Sequence, residues 1–299
     1  MRWPATEMVQ TARLYGRLLR RGPREFVDRL RVFAEIRADK RHAPSAVYQP
    51  YRWEDALPEL ERQFDGAIAR YSTDAALAEL EAALHHIVSR LHATAPFMNH
   101  LNADIALARS CYLLCRAVKP RVVVETGVGY GVISSFILQA LEVNGQGCLH
   151  SIDLPPIWPG AERLVGVLVP ERLRPRWRLH KGPSRRLLPA VLAQAGQVDL
   201  FIHDSLHTYH NMRWELATVT PSLARPAVVI VDDANENAAF AEWTATSEPS
   251  CWLAVQQVEK RNLFGIATFA DAEHGVPASS QGHDTLRAAA LPESVALAE

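Results

Sequence analysis

The alternation of short apolar runs with helical segments between Lys119 and Phe269 is the feature that most constrains the fold. The first apolar run, Arg121–Glu125, is rich in β-branched residues, and the segment Tyr130–Leu141 that follows has helical periodicity. Repeated strand–helix alternation of this kind is typical of a parallel α/β sheet. The same pattern predicts further strands at Cys148–Asp153, Trp177–His180, Val198–Asp204 and Ala227–Asp233.

The pattern changes after the fifth of these strands. Cys251–Val258 and Leu263–Phe269 are consecutive strand-like runs, separated only by the tight turn 260–262. A hairpin at the end of an α/β run must bring in an antiparallel strand. The sequence therefore predicts a mostly parallel α/β sheet that carries an antiparallel C-terminal hairpin strand.

The N-terminal region is basic and helical in pattern. Up to Arg41 it has eleven Lys or Arg against five Asp or Glu, and Gly22–Pro23 divides it into two helices. Residues 42–58 hold three prolines and three large aromatic residues, which favours an irregular linker or lid. We expect a helical N-terminal arm and lid over 1–100, an α/β domain over 101–271 and a disordered tail over 272–299. The arm is expected to pack on its own domain or on a second subunit in a homo-oligomer, rather than on a membrane or nucleic acid.

Composition narrows the class of protein. A formal net charge of -1 gives no general support for nucleic-acid binding. No apolar run approaches the roughly 20 residues that a membrane span needs. The four cysteines form neither a CxxC pair nor a zinc spacing, which suits a reducing cytosol. We therefore expect a cytoplasmic protein.

A glycine-rich turn, Glu125–Gly131, joins the first strand to its helix. Glycines let a ligand approach the backbone closely, and a helix N-terminus favours negative charge. The spacing is GxGxG rather than the dinucleotide fingerprint GxGxxG, because Val132 and Ser134 occupy the positions that the third glycine would need. Asp153 ends the second strand, where a carboxylate can accept hydrogen bonds from ribose hydroxyls.

Asp204 ends the fourth strand and His207 follows three residues later, at the edge where open α/β sheets bind ligands. A carboxylate and an imidazole at that edge are well placed for chemistry. The alternative is structural: Asp204 caps the next helix and His207 is a solvated residue of its first turn.

Asp232 and Asp233 end the fifth strand. If that strand neighbours the one that ends at Asp204, about 4.8 Å separates them and the three carboxylates converge. Carboxylates so close repel each other, and a hard divalent cation such as Mg²⁺ would remove the conflict. The alternative is that one of the two residues caps the following helix while Asp204 bonds to backbone amides.

The segments VVVETGVGYG and HSIDLP, together with the terminal hairpin, resemble the class I S-adenosylmethionine-dependent methyltransferases over roughly residues 100–270. The resemblance implies a Rossmann-like sheet and S-adenosylmethionine as cofactor. It also implies that Glu125 helps to hold the amino-acid end of the cofactor, that Asp153 binds the ribose and that Ser184 meets the adenine. The remaining cofactor-binding residues that it implies are Gly127, Gly129, Gly131, Ser134 and Asp204.

The reacting end, Asp204-Ser205-Leu206-His207 with Asp232-Asp233, resembles the metal-dependent O-methyltransferases of natural-product biosynthesis, the macrolide-sugar and cephalosporin groups. The resemblance implies that Asp204, Asp232 and Asp233 bind Mg²⁺ and that His207, with an ordinary pKa near neutral, is the general base. Catechol-type enzymes use a lysine base and an Asp-Asn pair, which this sequence lacks.

We therefore expect an O-methyltransferase that acts on a hydroxyl of a small molecule, either a sugar or an aromatic natural product. Three alternatives stay open. The first is a metal-independent methyltransferase with His207 as base, and the second is an iron- or nucleotide-dependent oxidoreductase on the same fold. The third is a non-catalytic protein that only binds the cofactor.

Overall fold

The computed structural model describes Gly16 and residues 22–64, 68–92, 103–157 and 160–270, with only the backbone described at 41–42 and 86–92. Most of the helix predicted ahead of Gly22 and the whole tail predicted at 272–299 lie outside the described residues. Among the helices that are described, none is long and apolar enough to cross a membrane.

The core of the structure is one sheet of eight strands. Along the chain these are β1 (Pro50–Tyr51), β2 (Val122–Thr126), β3 (Cys148–Asp153), β4 (Trp177–Lys181), β5 (Val198–His203), β6 (Leu223–Val231), β7 (Cys251–Gln256) and β8 (Leu263–Phe269). Their spatial order is β1-β7-β8-β6-β5-β2-β3-β4. Strand β8 runs antiparallel to β6 and β7, and the other neighbouring pairs are parallel. The predicted mostly parallel sheet with an antiparallel hairpin strand is confirmed.

Helices cover both faces of this sheet. They are α1 (Pro23–His42), α2 (Trp53–Glu61), α3 (Ala75–His92), α4 (Ile105–Val118), α5 (Val132–Asn144), the single turn α6 (Ala161–Leu164), α7 (Ser184–Ala195), α8 (Tyr209–Val219) and α9 (Ala239–Ser247). Short 3-10 turns occupy Ala69–Thr73, Glu171–Arg176 and Thr220–Ser222. Val123 packs with α4 and α5, whereas the next residue, Val124, packs with α7, α8 and α9. A strand buried on both faces reads as a continuous apolar run, which is why this part of the sequence was predictable.

The clearest difference from the predicted strand bounds is at β6, which begins at Leu223 instead of Ala227. Helix α8 ends at Val219, four residues before the predicted end, and a 3-10 turn containing Pro221 follows it. Proline has no backbone N–H for the α-helical ladder, so the helix stops early and the chain enters the sheet sooner.

The segment predicted as an irregular linker or lid contains regular structure. Strand β1 pairs in parallel with β7, where Pro50 lies opposite Ala254. Helix α2 buries Ala56 and Leu60 in the same core cluster as α4 and α5. Part of the predicted arm therefore extends the sheet and its core.

Three central strands end level with one another. Thr126 at the end of β2 lies opposite His203 at the end of β5, which in turn lies opposite Val231 at the end of β6. The ladder continues one residue further, since the Asp204 amide donates to the Thr126 carbonyl and the Asp232 amide to the His203 carbonyl, both at 2.8 Å. The glycine turn after β2, Asp204 after β5 and Asp232 after β6 therefore lie side by side.

The hairpin strand β8 packs tightly against α9, which gives a test of the fold. A Cβ added at Gly265 would lie 2.5 Å from the buried ring of Phe240. We expect Gly265→Ala to lower the free energy of unfolding by about 1–3 kcal/mol, because the ring or the hairpin must shift. Urea denaturation measures the loss.

A double-mutant cycle with Phe240→Leu supplies the control. Shortening Phe240 should make Gly265→Ala less costly than it is in the wild-type background. If the losses in free energy of unfolding from Gly265→Ala and Phe240→Leu were strictly additive, the packing of β8 against α9 would be contradicted.

Candidate active site

A cavity of about 850 Å³ opens at the carboxyl ends of the central strands. This volume falls within the range of about 300–1,000 Å³ that is usual for ligand pockets, and the position is the expected one in an open α/β sheet. Most of the predicted site residues line it: Gly127, Gly129, Asp153, Ser184, Asp204, His207, Asp232 and Asp233. Glu125, Gly131 and Ser134 are not among the lining residues.

The glycine turn is held against the end of β5. Gly127 has a φ of 85°, and a Cβ there would lie 1.8 Å from the carbonyl oxygen of Asp204. Only glycine allows both this backbone conformation and this close approach. Gly131 instead faces the protein, because a Cβ there would meet Gly166 and Val169. The predicted glycines therefore divide into two that border the cavity and one that permits packing behind it.

Asp153 braces the glycine turn from the end of β3. Its Oδ2 atom accepts hydrogen bonds from the backbone amides of Val128 at 2.8 Å and Gly129 at 3.1 Å. Burial raises the pKa of this carboxyl above its usual value, and the two amides oppose that shift. The ribose-binding role that the resemblance implies for Asp153 stays a prediction.

Glu125 and Ser134 form a polar pair beneath the turn. Glu125 Oε2 accepts from the hydroxyl of Ser134 at 2.7 Å and from that of Ser151 at 2.6 Å. Glu125 Oε1 is buried and accepts no hydrogen bond from the residues described. Burial raises the pKa of Glu125 to about 8, even though the two serine hydroxyls favour the charged form. Both residues are fully buried, so they support the turn from below.

His207 lies between two predicted metal-binding acids. Its Nδ1 atom is 3.0 Å from Asp233 Oδ2, and its Nε2 atom is 3.5 Å from Asp204 Oδ1, which is too long for a strong hydrogen bond. Burial would lower the pKa of His207, but the adjacent carboxylates of Asp204 and Asp233 raise it well above the ordinary value. This differs from the near-neutral pKa expected from the sequence.

The acidic cluster is arranged differently from the prediction. Among the described residues, donor atoms of Asp204, His207 and Asp232 come within 4.8 Å of one another. Asp233 falls in a second group, with His207 and Glu236. The structure thus pairs Asp204 with Asp232 and sets Asp233 against the imidazole. Burial, and then the charge of Asp204, raise the pKa of Asp232, as expected for crowded carboxylates.

The hairpin turn between β7 and β8 supplies partners that sequence reasoning missed. The Gln257 side-chain amide donates to Asp232 at 2.5 Å, and that of Asn262 donates to Asp233 at 2.8 Å. Lys260 also lines the cavity, with its Nζ atom 3.8 Å from Asp232 Oδ2. These residues lie some 25–30 positions from the acids they contact, so no local motif connects them. The tight turn at 260–262 was the only signal.

Helix α1, near the N-terminus of the chain, forms part of the wall of the cavity. The sequence did not reveal this. Glu35 accepts from the Thr208 hydroxyl at 2.5 Å, and Asp28 accepts from Arg186 at 3.0 Å. Arg29 donates to the carbonyl of Pro155, in the loop that follows Asp153. The described part of the basic arm therefore packs on its own domain, where Asp28, Arg29 and Glu35 become part of the site.

The ring of His203 meets that of His207 edge-on, with 5.7 Å between the centroids, but His203 belongs to neither candidate metal cluster among the described residues. It is fully buried, and its Nδ1 atom lies 2.7 Å from Glu215 Oε2 on α8. The iron alternative would need two histidines and one carboxylate around a single point. Each candidate cluster found among the described residues holds one histidine, His207, so the geometry gives that alternative no support.

Comparison with known proteins agrees with this architecture. Residues 124–234 match a family described as a methyltransferase domain. Over this segment, which runs from within β2 to just past β6, the chain is similar to methyltransferase domains. No curated protein sequence matches the chain.

Solved structures are also similar to this chain. The O-methyltransferase from Bacillus cereus, in complex with SAH, has a TM-score of 0.50 and 14% identity, over 70% of this chain and 99% of that one. The O-methyltransferase TomG from Streptomyces achromogenes, involved in tomaymycin synthesis and bound to SAM, has a TM-score of 0.48 and 16% identity, over 71% of this chain and 99% of that one. At 14% identity, the similarity to the Bacillus cereus protein shows the fold alone.

The close approach of the glycine turn to β5 predicts the effect of adding one methyl group. Gly127→Ala and Gly145→Ala both force alanine into a left-handed conformation, at a cost of about 1–2 kcal/mol. Nothing lies within 4 Å of a Cβ at Gly145, whereas at Gly127 the backbone of β5 must move. We expect Gly127→Ala to destabilise the protein by at least about 2 kcal/mol more than the control. Equal losses in urea denaturation would contradict the geometry.

The buried Glu125 carboxyl predicts a pH dependence of stability. With its pKa raised from 4.5 to about 8, the folded state binds this proton more tightly than the unfolded chain does. Its contribution is therefore present at low pH and is lost as pH rises from about 4.5 to about 8. Glu125→Gln should make the free energy of unfolding fall less steeply across this range, while the exposed control Glu79→Gln should leave the slope unchanged. If the free energy of unfolding of Glu125→Gln fell with pH as steeply as that of wild type, the raised pKa assigned to Glu125 would be contradicted.

Proposed function

We propose that this chain is an S-adenosylmethionine-dependent O-methyltransferase that methylates a hydroxyl group of a small natural product, either a sugar or an aromatic compound. The observation that carries the proposal is the level ending of β2, β5 and β6. It places the glycine turn, Asp204 and Asp232 along one wall of one cavity. The methyltransferase-family match over 124–234 supports the cofactor class.

The cofactor half of the cavity is assigned to the glycine turn, Asp153 and Ser184. Gly127 and Gly129 provide a backbone surface without side chains, and Asp153 faces the cavity from the end of β3. Ser184 lines the cavity at the start of α7, where it is proposed to meet the adenine. S-adenosylmethionine, when bound, supplies a sulfonium methyl group that a hydroxyl oxygen can attack.

The acidic cluster fits a hard divalent cation. Asp204 and Asp232 present carboxylates within 4.8 Å of each other, and Asp232 is a buried acid whose nearest described cation, the Lys260 ammonium, is 3.8 Å away. We propose that both bind Mg²⁺, with Asp233 completing the set as the resemblance implies. Bound there, the cation would lower the pKa of a coordinated substrate hydroxyl. It would also offset the negative charge around His207.

His207 is proposed as the general base. Asp233 holds the Nδ1 side of its ring, so Nε2, on the side of Asp204, remains to accept the hydroxyl proton. An imidazole fixed in this way can take the proton only in its neutral form. The walls of the cavity, α1 among them, would hold the acceptor in line with the methyl group, which is the larger part of catalysis in such a transfer.

We further propose a cytoplasmic location, because all four cysteines are unpaired. Self-association through the N-terminal helices stays a prediction.

Replacement of the base tests the mechanism. His207→Gln should lower kcat by about 10²–10⁴-fold, the usual contribution of a general base. The measurement is transfer of labelled methyl from S-adenosylmethionine to a panel of phenols and sugars. His210→Gln is the matched control, since His210 is exposed three residues further along. Equal activity in the two variants would contradict the assignment of the base.

Removal of divalent cations separates the two methyltransferase mechanisms. With Asp204 and Asp232 holding Mg²⁺, EDTA should abolish turnover and added Mg²⁺ should restore it. Asp232→Asn should weaken the response to Mg²⁺, while the exposed control Asp55→Asn should not. Turnover that survives EDTA but is lost in His207→Gln would instead select the metal-independent mechanism.

A further inference from the structure

Glu215 is a charged residue that has no role in the proposed function. It lies on α8 and is fully buried, and it is not among the residues that line the cavity. A buried carboxylate is costly unless its oxygens are saturated with donors. The positions of its hydrogen-bond donors therefore show which segments of the chain Glu215 holds together.

One carboxylate oxygen faces the glycine turn and the end of β5. Glu215 Oε2 accepts from the Thr126 hydroxyl at 2.5 Å and lies 2.7 Å from His203 Nδ1. Because a carboxylate only accepts, Nδ1 of His203 carries the hydrogen. Thr126 directly precedes Gly127, and His203 directly precedes Asp204.

The other oxygen faces the loop that carries His207. Glu215 Oε1 accepts from the Ser205 hydroxyl at 2.8 Å and from the Asn211 amide at 3.0 Å. The Asn211 amide also donates to the carbonyl of Leu206 at 3.0 Å, immediately before His207. One carboxylate thus binds the side chains of the two residues that flank Asp204, His203 and Ser205, and that of Thr126 beside Gly127.

The chemistry of this network favours a fixed, charged Glu215. Burial alone would raise its pKa, but the charge of His203 and hydrogen bonds from His203, Ser184 and Thr126 lower the pKa to about 2. Each oxygen accepts at least two donors, so neither loop can move without leaving a buried charge under-solvated. Ser184, the proposed adenine contact, belongs to the same network.

We propose that Glu215 is a positioning residue that fixes the cofactor turn and the acidic cluster relative to each other. It contacts neither the cofactor nor the reacting atoms, and it acts through Thr126 on one side and Ser205 on the other. The inference rests on the proposed function, because it assumes that these two loops hold S-adenosylmethionine and a divalent cation.

The test uses binding of S-adenosylhomocysteine and of Mn²⁺ to the full chain, each by titration calorimetry. Thr126→Val should raise the Kd for S-adenosylhomocysteine about tenfold and leave that for Mn²⁺ near wild type. Ser205→Ala should do the reverse, raising the Kd for Mn²⁺ by about 10–100-fold. Glu215→Gln should weaken both, and Thr126→Ser, which keeps the hydroxyl, should restore cofactor binding.

Thr218→Val is the control on the same helix, because its hydroxyl bonds only within α8. It should leave both Kd values unchanged. A purely structural role would instead lower the melting temperature and the fraction of active protein in every variant of the network, with unchanged Kd values in the folded fraction. That result would overturn the proposal.

Failure of the proposed function would look different. Wild-type protein that bound no S-adenosylhomocysteine, or no Mn²⁺, would overturn the corresponding part of the proposed function and this inference with it. Wild-type protein that bound both, beside a Glu215→Gln variant that kept both affinities, would overturn the inference alone.

Discussion

Mutual repulsion among carboxylates at one edge of the sheet is the constraint on which the rest of the structure depends. Asp153, Asp204, Asp232 and Asp233 all reach the same cavity, because the strands that carry them are near neighbours and β2, β5 and β6 end level. Unpaired acids so close together would raise each other's pKa and disfavour the folded chain. The surrounding structure can be understood as a set of partners that make this crowding tolerable.

The acids are supplied with several kinds of partner. Backbone amides of the glycine turn bind Asp153, the hairpin turn sends Gln257 and Asn262 to the Asp232–Asp233 pair, and His207 lies between Asp204 and Asp233. The antiparallel hairpin therefore has a chemical role as well as a structural one. Without β7 and β8, the second acid pair would lose its neutral donors and the ammonium of Lys260.

The fold followed closely from the sequence wherever burial alone sets the pattern. Strand β5 was predictable because Val198–His203 is buried almost throughout, and buried parallel strands are continuous apolar runs. Strand β1 was not, because it has only two residues, one of them a proline, which carry no periodicity, and its pairing with β7 depends on tertiary contact. Helix α2 was hidden in the same way by Pro58, which lies inside it.

The site was predictable to the extent that it lies at strand ends. Asp204, Asp232 and Asp153 are placed by the sheet itself, so their meeting follows from strand order. The contacts of Asp233 with His207 and of Glu35 with Thr208 depend on side-chain direction and on a helix some 170 residues away, which no local pattern encodes. The direction of Glu125, beneath the glycine turn, likewise became clear only from its serine partners.

The most direct test is a crystal structure of the protein soaked with S-adenosylhomocysteine and Mn²⁺, with the ion located by its anomalous scattering. The account predicts one Mn²⁺ peak bound by Asp204 and Asp232, with the cofactor sulfur in the same cavity and directed towards it. A sulfur atom that points away from the acidic cluster, or an ion bound elsewhere on the molecule, would contradict it.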